Sequence, residues 1–143
     1  MYQKIIVVGN LGSDPEMRYM PDGTAVTNFS LAANRRWTDS ATGQPRDETT
    51  WFRVSVWRKQ AEVANQYLSK GRRVLVEGRL RPDPASGGPR TYTRQDGTVG
   101  ASFEITADTI QFLGGRDEGG GNYSDGDENY ESAPAAEEDD IPF

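Results

Sequence analysis

One stretch of this sequence has the period of an α-helix, and it stands between segments that alternate like β-strands. Residues 59–70 place four apolar side chains on one helical stripe, and Gly71 follows where a C-cap glycine is expected. The stripe consists of Val63, Ala64, Tyr67 and Leu68. A single helix in an otherwise strand-like chain restricts the fold to a small set of all-β architectures.

Two strand-like segments precede residue 39. Residues 4–9 form a short β-branched run, which is typical of a buried strand. Turns are expected at residues 10–15 and 21–23, because Asn, Asp, Gly and Pro favour turn conformations. The second segment alternates with period two, and its inward face would consist of Ala25, Thr27, Phe29, Leu31 and Ala33.

A third strand, residues 48–57, is expected to follow a hairpin loop at residues 39–47. One of its faces is apolar and would line a core, with Phe52, Val54 and Val56. Side chains alternate across a strand, so two indoles and a guanidinium share the other face. That face consists of Trp51, Arg53, Ser55 and Trp57.

Two more strands are predicted after the helix. Residues 72–81 would place Val74 and Val76 inward, whereas the Pro- and Gly-rich residues 82–90 would lack regular structure. A final hairpin is expected from residues 91–94 and 101–112, with Phe103 and Ile105 inward. The order of three strands, one helix and two strands predicts an all-β, five-stranded Greek-key barrel with one helix between strands 3 and 4, the OB-fold.

Charge and composition divide the chain near residue 113. All 16 basic residues lie at or before Arg116, together with 12 acidic residues, so this part carries a net charge of +4. Residues 117–143 hold ten acidic residues and no basic ones, and few of their residues are apolar. We therefore predict a folded domain over residues 1–113 and a disordered acidic tail over residues 114–143. A basic domain of this kind favours a polyanionic partner.

The composition also excludes several kinds of protein. The chain has no Cys and no His, which removes thiol chemistry, zinc–thiolate sites and imidazole-based catalysis. The acidic residues of the strands are scattered, so we expect no enzyme, metal or cofactor. The apolar run at residues 5–8 is too short for a signal peptide or a membrane span, which predicts a cytoplasmic protein.

Aromatic and basic residues occur together at several points in the sequence. A protein that binds single-stranded nucleic acid needs both, because rings stack on bases and cations contact phosphates. A Trp in a strand more often belongs to a core, yet here the indoles stand beside Arg residues. The predicted stacking residues are Trp37, Trp51, Trp57 and Tyr92. The predicted phosphate contacts are Arg35, Arg36, Arg53, Lys59, Lys70, Arg72, Arg79 and Arg81, several of which could equally be solvated surface.

The end of the chain combines acidic and apolar residues. An Ile-Pro-Phe tip beside the terminal carboxylate suits a basic pocket with a hydrophobic floor on a partner protein. The predicted partner-binding residues are Asp139, Asp140, Ile141, Pro142 and Phe143. The alternative is an unstructured end that only improves solubility.

Several blocks of the sequence resemble the bacterial single-stranded DNA-binding protein family. They are KIIVVGNLGSDPEMRY at residues 4–19, WFRVSVW at 51–57, AEVANQYLSKG at 61–71, VEGRL at 76–80 and DDIPF at 139–143. The similarity runs almost continuously over residues 2–113 and returns in the last five residues.

This resemblance implies a homotetramer that wraps single-stranded DNA and serves replication, recombination and repair on the bacterial nucleoid. It also implies that the tail tip recruits enzymes of replication and repair. By position, Trp37, Trp51 and Trp57 match the stacking sites of the family, and Lys4 and Arg18 join the phosphate contacts. Residues 82–90 interrupt the position at which relatives usually carry a fourth ring, and Tyr92 is the nearest candidate.

Two other functions are compatible with parts of this pattern. The same fold could serve replication restart or RNA handling, although the long acidic tail with its apolar tip favours a general binder of single strands. A nuclease would need convergent acidic residues for a metal, whereas Glu48, Glu77 and Glu104 stand far apart in the sequence. The residues alone do not separate DNA from RNA, because stacking and phosphate contacts suit both.

Overall fold

Five long strands and two short ones, with a single helix, make up the part of the chain that the computed structural model describes, residues 1–114. The tail predicted to be disordered lies outside these residues, except for Gly114. The elements are β1 (Ile5–Leu11), β2 (Glu16–Tyr19), β3 (Ala25–Thr38), β4 (Pro45–Trp57), α1 (Lys59–Tyr67), β5 (Arg73–Leu80), β6 (Arg90–Thr93) and β7 (Val99–Leu113).

The five long strands close into a barrel. β1 pairs with β5, β5 with β7, β7 with β4 and β4 with β3, and β3 returns to β1. The β4–β7 pairing is parallel, and the other pairings of the ring are antiparallel. The helix lies between β4 and β5, the third and fourth barrel strands in chain order. The closed five-stranded barrel with this helix confirms the predicted OB-fold.

The predicted alternation builds the interior of the barrel. Leu31, Val54, Val56, Val74 and Val76 are fully buried, as their parity in the sequence predicts. The helix contributes small side chains that allow a close approach to the barrel. The buried Thr27 hydroxyl donates a 2.6 Å hydrogen bond to the carbonyl oxygen of Ala61, which ties β3 to the helix.

Several predicted boundaries are wrong. β1 continues to Leu11, whose side chain is buried, and residues 45–47 belong to β4 rather than to the preceding loop. Residue 90 already belongs to β6. The short strand β2 was not predicted, because four residues with one partner strand carry too little alternation to stand out.

Burial also differs from the sequence prediction at particular side chains. β1 is covered on one face only, so Ile6 and Val8 remain 58% and 47% exposed. Phe103 has the inward parity but lies at the open mouth of the barrel against Phe52, and it stays 48% exposed. Tyr67 was predicted for the core stripe of the helix, yet it is 56% exposed and packs on Phe112 with ring centroids 5.9 Å apart.

Gly71 does not cap the helix as predicted. The helix ends at Tyr67, and Leu68 is already extended and buried. Gly71 instead lies within a separate turn, in which the Arg72 amide donates to the carbonyl oxygen of Ser69. Its φ of 85° explains why glycine occupies this position.

The β3–β4 hairpin extends beyond the barrel as a two-stranded arm. The two strands pair continuously from Val26 with Trp57 to Thr38 with Pro45, whereas β7 covers only the Phe52–Ser55 part of β4. Residues 34–38 and 45–49 are therefore exposed on both faces of the ribbon, and we call them the arm. Among residues 1–114, no helix is long and apolar enough to cross a membrane.

Candidate nucleic-acid interface

The outer face of β4 forms the floor of a series of open grooves. Trp51, Arg53, Ser55 and Trp57 succeed one another along this face, as their parity predicts. At about 3.3 Å per residue, the face is about 20 Å long from the first indole to the second. Its length and its mixture of rings and cations suit an extended polymer better than a small molecule.

The first groove lies between Trp51 and Tyr92. It has a volume of about 370 Å³ and is bordered by the β1–β2 loop on one side and β7 on the other. Trp51 is 55% exposed and Tyr92 is 50% exposed, so both rings remain accessible. Phe52 and Arg53 also line this groove.

A glycine allows the indole of Trp51 to lie where it does. A Cβ atom at Gly12 would be 2.5 Å from Cζ3 of Trp51 and 2.9 Å from Oγ of Ser30. The Gly12 amide donates a 3.0 Å hydrogen bond to the Ser30 carbonyl oxygen, which holds this backbone against β3. The ring thus rests on backbone rather than in the core, with much of its surface free.

Tyr92 is supported in the same way on the β6–β7 hairpin. It pairs with Gly100, where a Cβ atom would be 2.6 Å from Cζ of the Tyr92 ring. The Arg94 guanidinium lies 5.7 Å from the ring centroid, within the range of a cation–π contact. Support from Gly100 and Arg94 fixes the ring at the edge of the groove.

Acidic side chains stabilise two turns of the barrel. Asp96 accepts hydrogen bonds from the hydroxyl and the amide of Thr98, which lower the pKa of its carboxyl from the ordinary value. Asp22 accepts a bond from the Thr24 amide, and its pKa is lowered for the same reason, with a smaller contribution from the charge of Arg58. Both carboxyl groups act within their turns.

The second groove adjoins the first at Arg53 and is rich in arginine. It has a volume of about 360 Å³, and Arg18, Arg81 and Arg90 also line it. Arg90 lies 3.8 Å from the Glu104 carboxylate. Within residues 1–114, no carboxylate oxygen lies within 4.0 Å of the guanidinium nitrogens of Arg18, Arg53 or Arg81. These three cations are therefore free to meet an anion.

The third groove lies at the other end of the β4 face, beside Trp57. It has a volume of about 820 Å³, and Arg58 and Arg79 line it together with Asp108. Arg79 is 3.9 Å from Asp108, an exposed ion pair that contributes little to stability. Trp57 is half-buried in the floor of this groove.

The arm carries the remaining indole. Trp37 is 38% exposed, and the Arg35 guanidinium lies 5.1 Å from the centroid of its ring. Arg35 also lies 3.7 Å from Glu48 on the paired strand. Because side chains alternate, Arg36 is on the opposite face of the ribbon from Arg35 and Trp37.

The other predicted phosphate contacts lie outside the three grooves. Lys4 pairs with Glu77 at 2.9 Å on the outer face of β1 and β5, and this hydrogen bond and charge raise the pKa of Lys4. Lys59 opens the helix, while Lys70 and Arg72 lie in the turn that precedes β5. The five predicted residues of the tail tip, from Asp139 to Phe143, lie outside the described residues.

Four groove or groove-edge residues were not among the predicted contacts. Arg90 and Arg94 flank Tyr92 in the sequence, and that adjacency was a signal that could have included them. Phe52 was assigned to the core by parity alone, although it reaches the mouth of the barrel. Arg58 stood beside Lys59 as a basic residue at the helix end, where solvated surface and phosphate contact were equally compatible with the sequence, and its unusual backbone conformation could not be read from the residues.

Comparison with known proteins agrees with this geometry. The chain is similar over residues 2–113 to the model of the single-strand binding protein family. One similar solved structure is the Plasmodium falciparum SSB in complex with ssDNA, with 28% identity, a TM-score of 0.65, and coverage of 80% of this chain and 97% of that one. Another is the small single-stranded DNA-binding protein of Streptomyces coelicolor, with 30% identity, a TM-score of 0.64, and coverage of 78% and 94%. The chain belongs to the single-strand binding protein family.

Proposed function

We propose that this protein binds single-stranded DNA without sequence preference and protects it during replication, recombination and repair. The observation that carries the proposal is the face of β4, where Trp51, Arg53 and Trp57 lie along open grooves that further arginines line. Stacking on a ring accepts any base, because every base has a π-face, and guanidinium groups meet the phosphates between stacked bases. The complex of the Plasmodium falciparum relative with ssDNA supports the same ligand for this chain.

The arrangement favours a single strand over a duplex. The bases of a duplex are stacked on one another and their faces are covered, whereas Trp51 and Tyr92 present their rings to an open groove. The chain would act by binding and not by catalysis. In residues 1–114, no cluster of three or more His, Cys, Asp or Glu side chains is placed to hold a metal ion.

The proposal includes assembly into a homotetramer. Ile6 and Val8 form an exposed apolar stripe on the outer face of β1, and the partly exposed Leu75 of β5 pairs with Val8. A stripe of this kind on a barrel supports contact with another copy of the chain. Mass measurement in solution tests this: wild type should be a tetramer, and Ile6→Glu should dissociate it. A wild-type monomer would contradict it.

The tail is proposed to recruit partner enzymes rather than DNA. Its ten acidic residues would repel phosphates, while the terminal Ile-Pro-Phe offers an apolar tip beside a carboxylate. Deletion of residues 139–143 should leave DNA affinity unchanged and abolish the capture of replication and repair enzymes from a bacterial lysate. Equal capture by the full chain and the truncated chain would contradict this role. Action on the nucleoid in the cytoplasm follows from the proposed ligand.

A tryptophan-fluorescence titration tests the main proposal. Oligo-dT should quench the indoles strongly, and a duplex of equal length should quench them little at the same concentration. An oligo-rU of the same length separates a DNA binder from an RNA-handling protein of the same fold. No quenching by any of the three, or equal quenching by the single strand and the duplex, would contradict the proposal.

A further inference from the structure

Arg58, between β4 and the helix, has a backbone conformation that residues other than glycine rarely adopt. Its φ is 62° and its ψ is −134°, and it is the one non-glycine residue with a positive φ among residues 1–114. This region of backbone space is occupied mainly by glycine, because a Cβ atom there meets the neighbouring peptide groups. An arginine at this position makes the fold less stable than a glycine would.

Backbone hydrogen bonds explain the conformation of residue 58, but they do not explain why its side chain is an arginine. The Arg58 amide donates a 2.8 Å hydrogen bond to the Ala25 carbonyl oxygen, and its own carbonyl oxygen accepts from the Ala61 amide at 3.0 Å. These bonds fix the turn from strand to helix, and any residue with an amide can make them. The Arg58 side chain makes no capping hydrogen bond to the helix. The contacts within the described fold therefore give no reason for an arginine at this position.

The positive φ changes the direction of the side chain. Residues 52, 54 and 56 face the interior, so strict alternation would direct residue 58 inward as well. Arg58 is instead exposed and lines the third groove together with its neighbour Trp57. Two consecutive residues thus contribute a ring and a cation to the same groove.

The charges around Arg58 leave it available to an anion. Asp108 lies beside Arg79, and Asp22 accepts the amide hydrogen bond of Thr24 in its own turn. No carboxylate oxygen of the described chain lies within 4.0 Å of the Arg58 guanidinium nitrogens. The third groove therefore contains an aromatic ring, Trp57, beside a free cation, Arg58. The first groove has the same combination in Trp51 and Arg53.

We propose that Arg58 is a phosphate-binding residue, and that the strained backbone at this position directs its guanidinium into the groove beside Trp57. The inference rests on the proposed function and extends it to a residue at which fold stability and DNA affinity oppose each other. A glycine would relieve the backbone and remove the contact in one step.

Three variants separate the two effects. Arg58→Gly should raise the melting temperature by about 4 °C or more, because removing backbone strain of this kind stabilises a small domain enough for a rise of that size. The same variant should make the salt dependence of binding to (dT)8 shallower by about 0.7 in log K against log salt, as expected for one lost phosphate contact. Arg58→Ala should make the salt slope shallower by the same amount, but without the gain in melting temperature. Arg58→Lys should keep a salt slope close to that of wild type.

Arg73→Ala is the matched control, because Arg73 lies on the outer face of β5 away from the three grooves and its loss removes the same charge. Its salt slope should equal that of wild type. An unchanged slope for Arg58→Gly and Arg58→Ala, with wild type still binding (dT)8, would overturn the inference and leave the proposed function intact. Failure of wild type to bind any single strand would overturn the proposed function itself.

Discussion

The indole of Trp51 lies directly against the backbone of Gly12, close enough that a single added carbon would be 2.5 Å from the ring. The loop between β1 and β2 thus holds the ring that borders the first groove. Gly12→Ala should displace the indole and weaken binding of oligo-dT, by up to the ~1–3 kcal/mol of one stacked base. Overpacking should also reduce the free energy of unfolding by about 1–3 kcal/mol.

Gly88→Ala is the control for this substitution. A Cβ atom at Gly88 would have its nearest neighbour at 3.6 Å, an ordinary contact. Its affinity and its unfolding midpoint in urea should match those of wild type. If Gly12→Ala bound oligo-dT as tightly as Gly88→Ala, the position of the Trp51 ring would be irrelevant to binding.

Trp51→Ala should weaken binding of oligo-dT by about 1–3 kcal/mol, because one stacking platform is lost. Tyr67 provides a control of equal exposure, since Trp51 is 55% and Tyr67 is 56% exposed, yet Tyr67 packs on Phe112 away from the three grooves. Isothermal titration calorimetry with oligo-dT compares the affinities of Trp51→Ala and Tyr67→Ala with that of wild type. Similar losses for both would mean that exposed rings contribute wherever they lie, which contradicts a defined groove.

Arg53 lies at the junction of the first and second grooves, and its guanidinium has no carboxylate within 4.0 Å among the described residues. Arg53→Gln should make the salt slope of binding shallower by about 0.7. Lys4→Gln should change the slope less, because Glu77 already holds the Lys4 ammonium at 2.9 Å. Affinities at four salt concentrations measure both slopes, and a larger change for Lys4→Gln would place the DNA on the β1 side of the barrel.

The turn that carries Tyr92 should be sensitive to acid. Hydrogen bonds from Thr98 lower the pKa of Asp96 below the ordinary value of 3.8, so the carboxylate stabilises the turn fully above that value. The stabilisation is lost as the pH falls through the lowered pKa, when the carboxylate takes up its proton. The side-chain carboxyl signal of Asp96 in an NMR titration should show a midpoint below 3.8, and Thr98→Ala should move it back up. A midpoint at or above 3.8 in wild type would contradict the bonded turn.

Period and parity in the sequence predicted most of the barrel, because burial on one face of a strand leaves a direct mark in the residues. Val54, Val56, Val74 and Ile105 are buried as predicted. The same parity did not show how far along a strand the barrel extends. Phe103 has the right parity but lies at the mouth, so it remains partly exposed.

The predicted interface was incomplete for a different reason. Trp51 and Arg53 stand on the polar parity of one strand, which made their shared face visible in the sequence. Contacts between distant segments leave no such mark, so the support of Trp51 by Gly12 required the structure. The positive φ of Arg58 is likewise set by hydrogen bonds to Ala25 and Ala61 and not by its own side chain.

The parallel pairing of β4 with β7 also has a consequence for how the protein is made. It joins Phe52 with Phe103, about fifty residues later in the chain, whereas the β3–β4 hairpin can form locally. Contacts of long sequence separation form late and slow the folding rate. On the ribosome, the apolar inner face of β4 would emerge early, and the strand edge that pairs with β7 would stay free until residues 103–106 have been synthesised. The nascent chain therefore exposes Val54, Val56 and an unpaired strand edge before the barrel can close, and a chaperone or the ribosome surface would have to cover them during that interval.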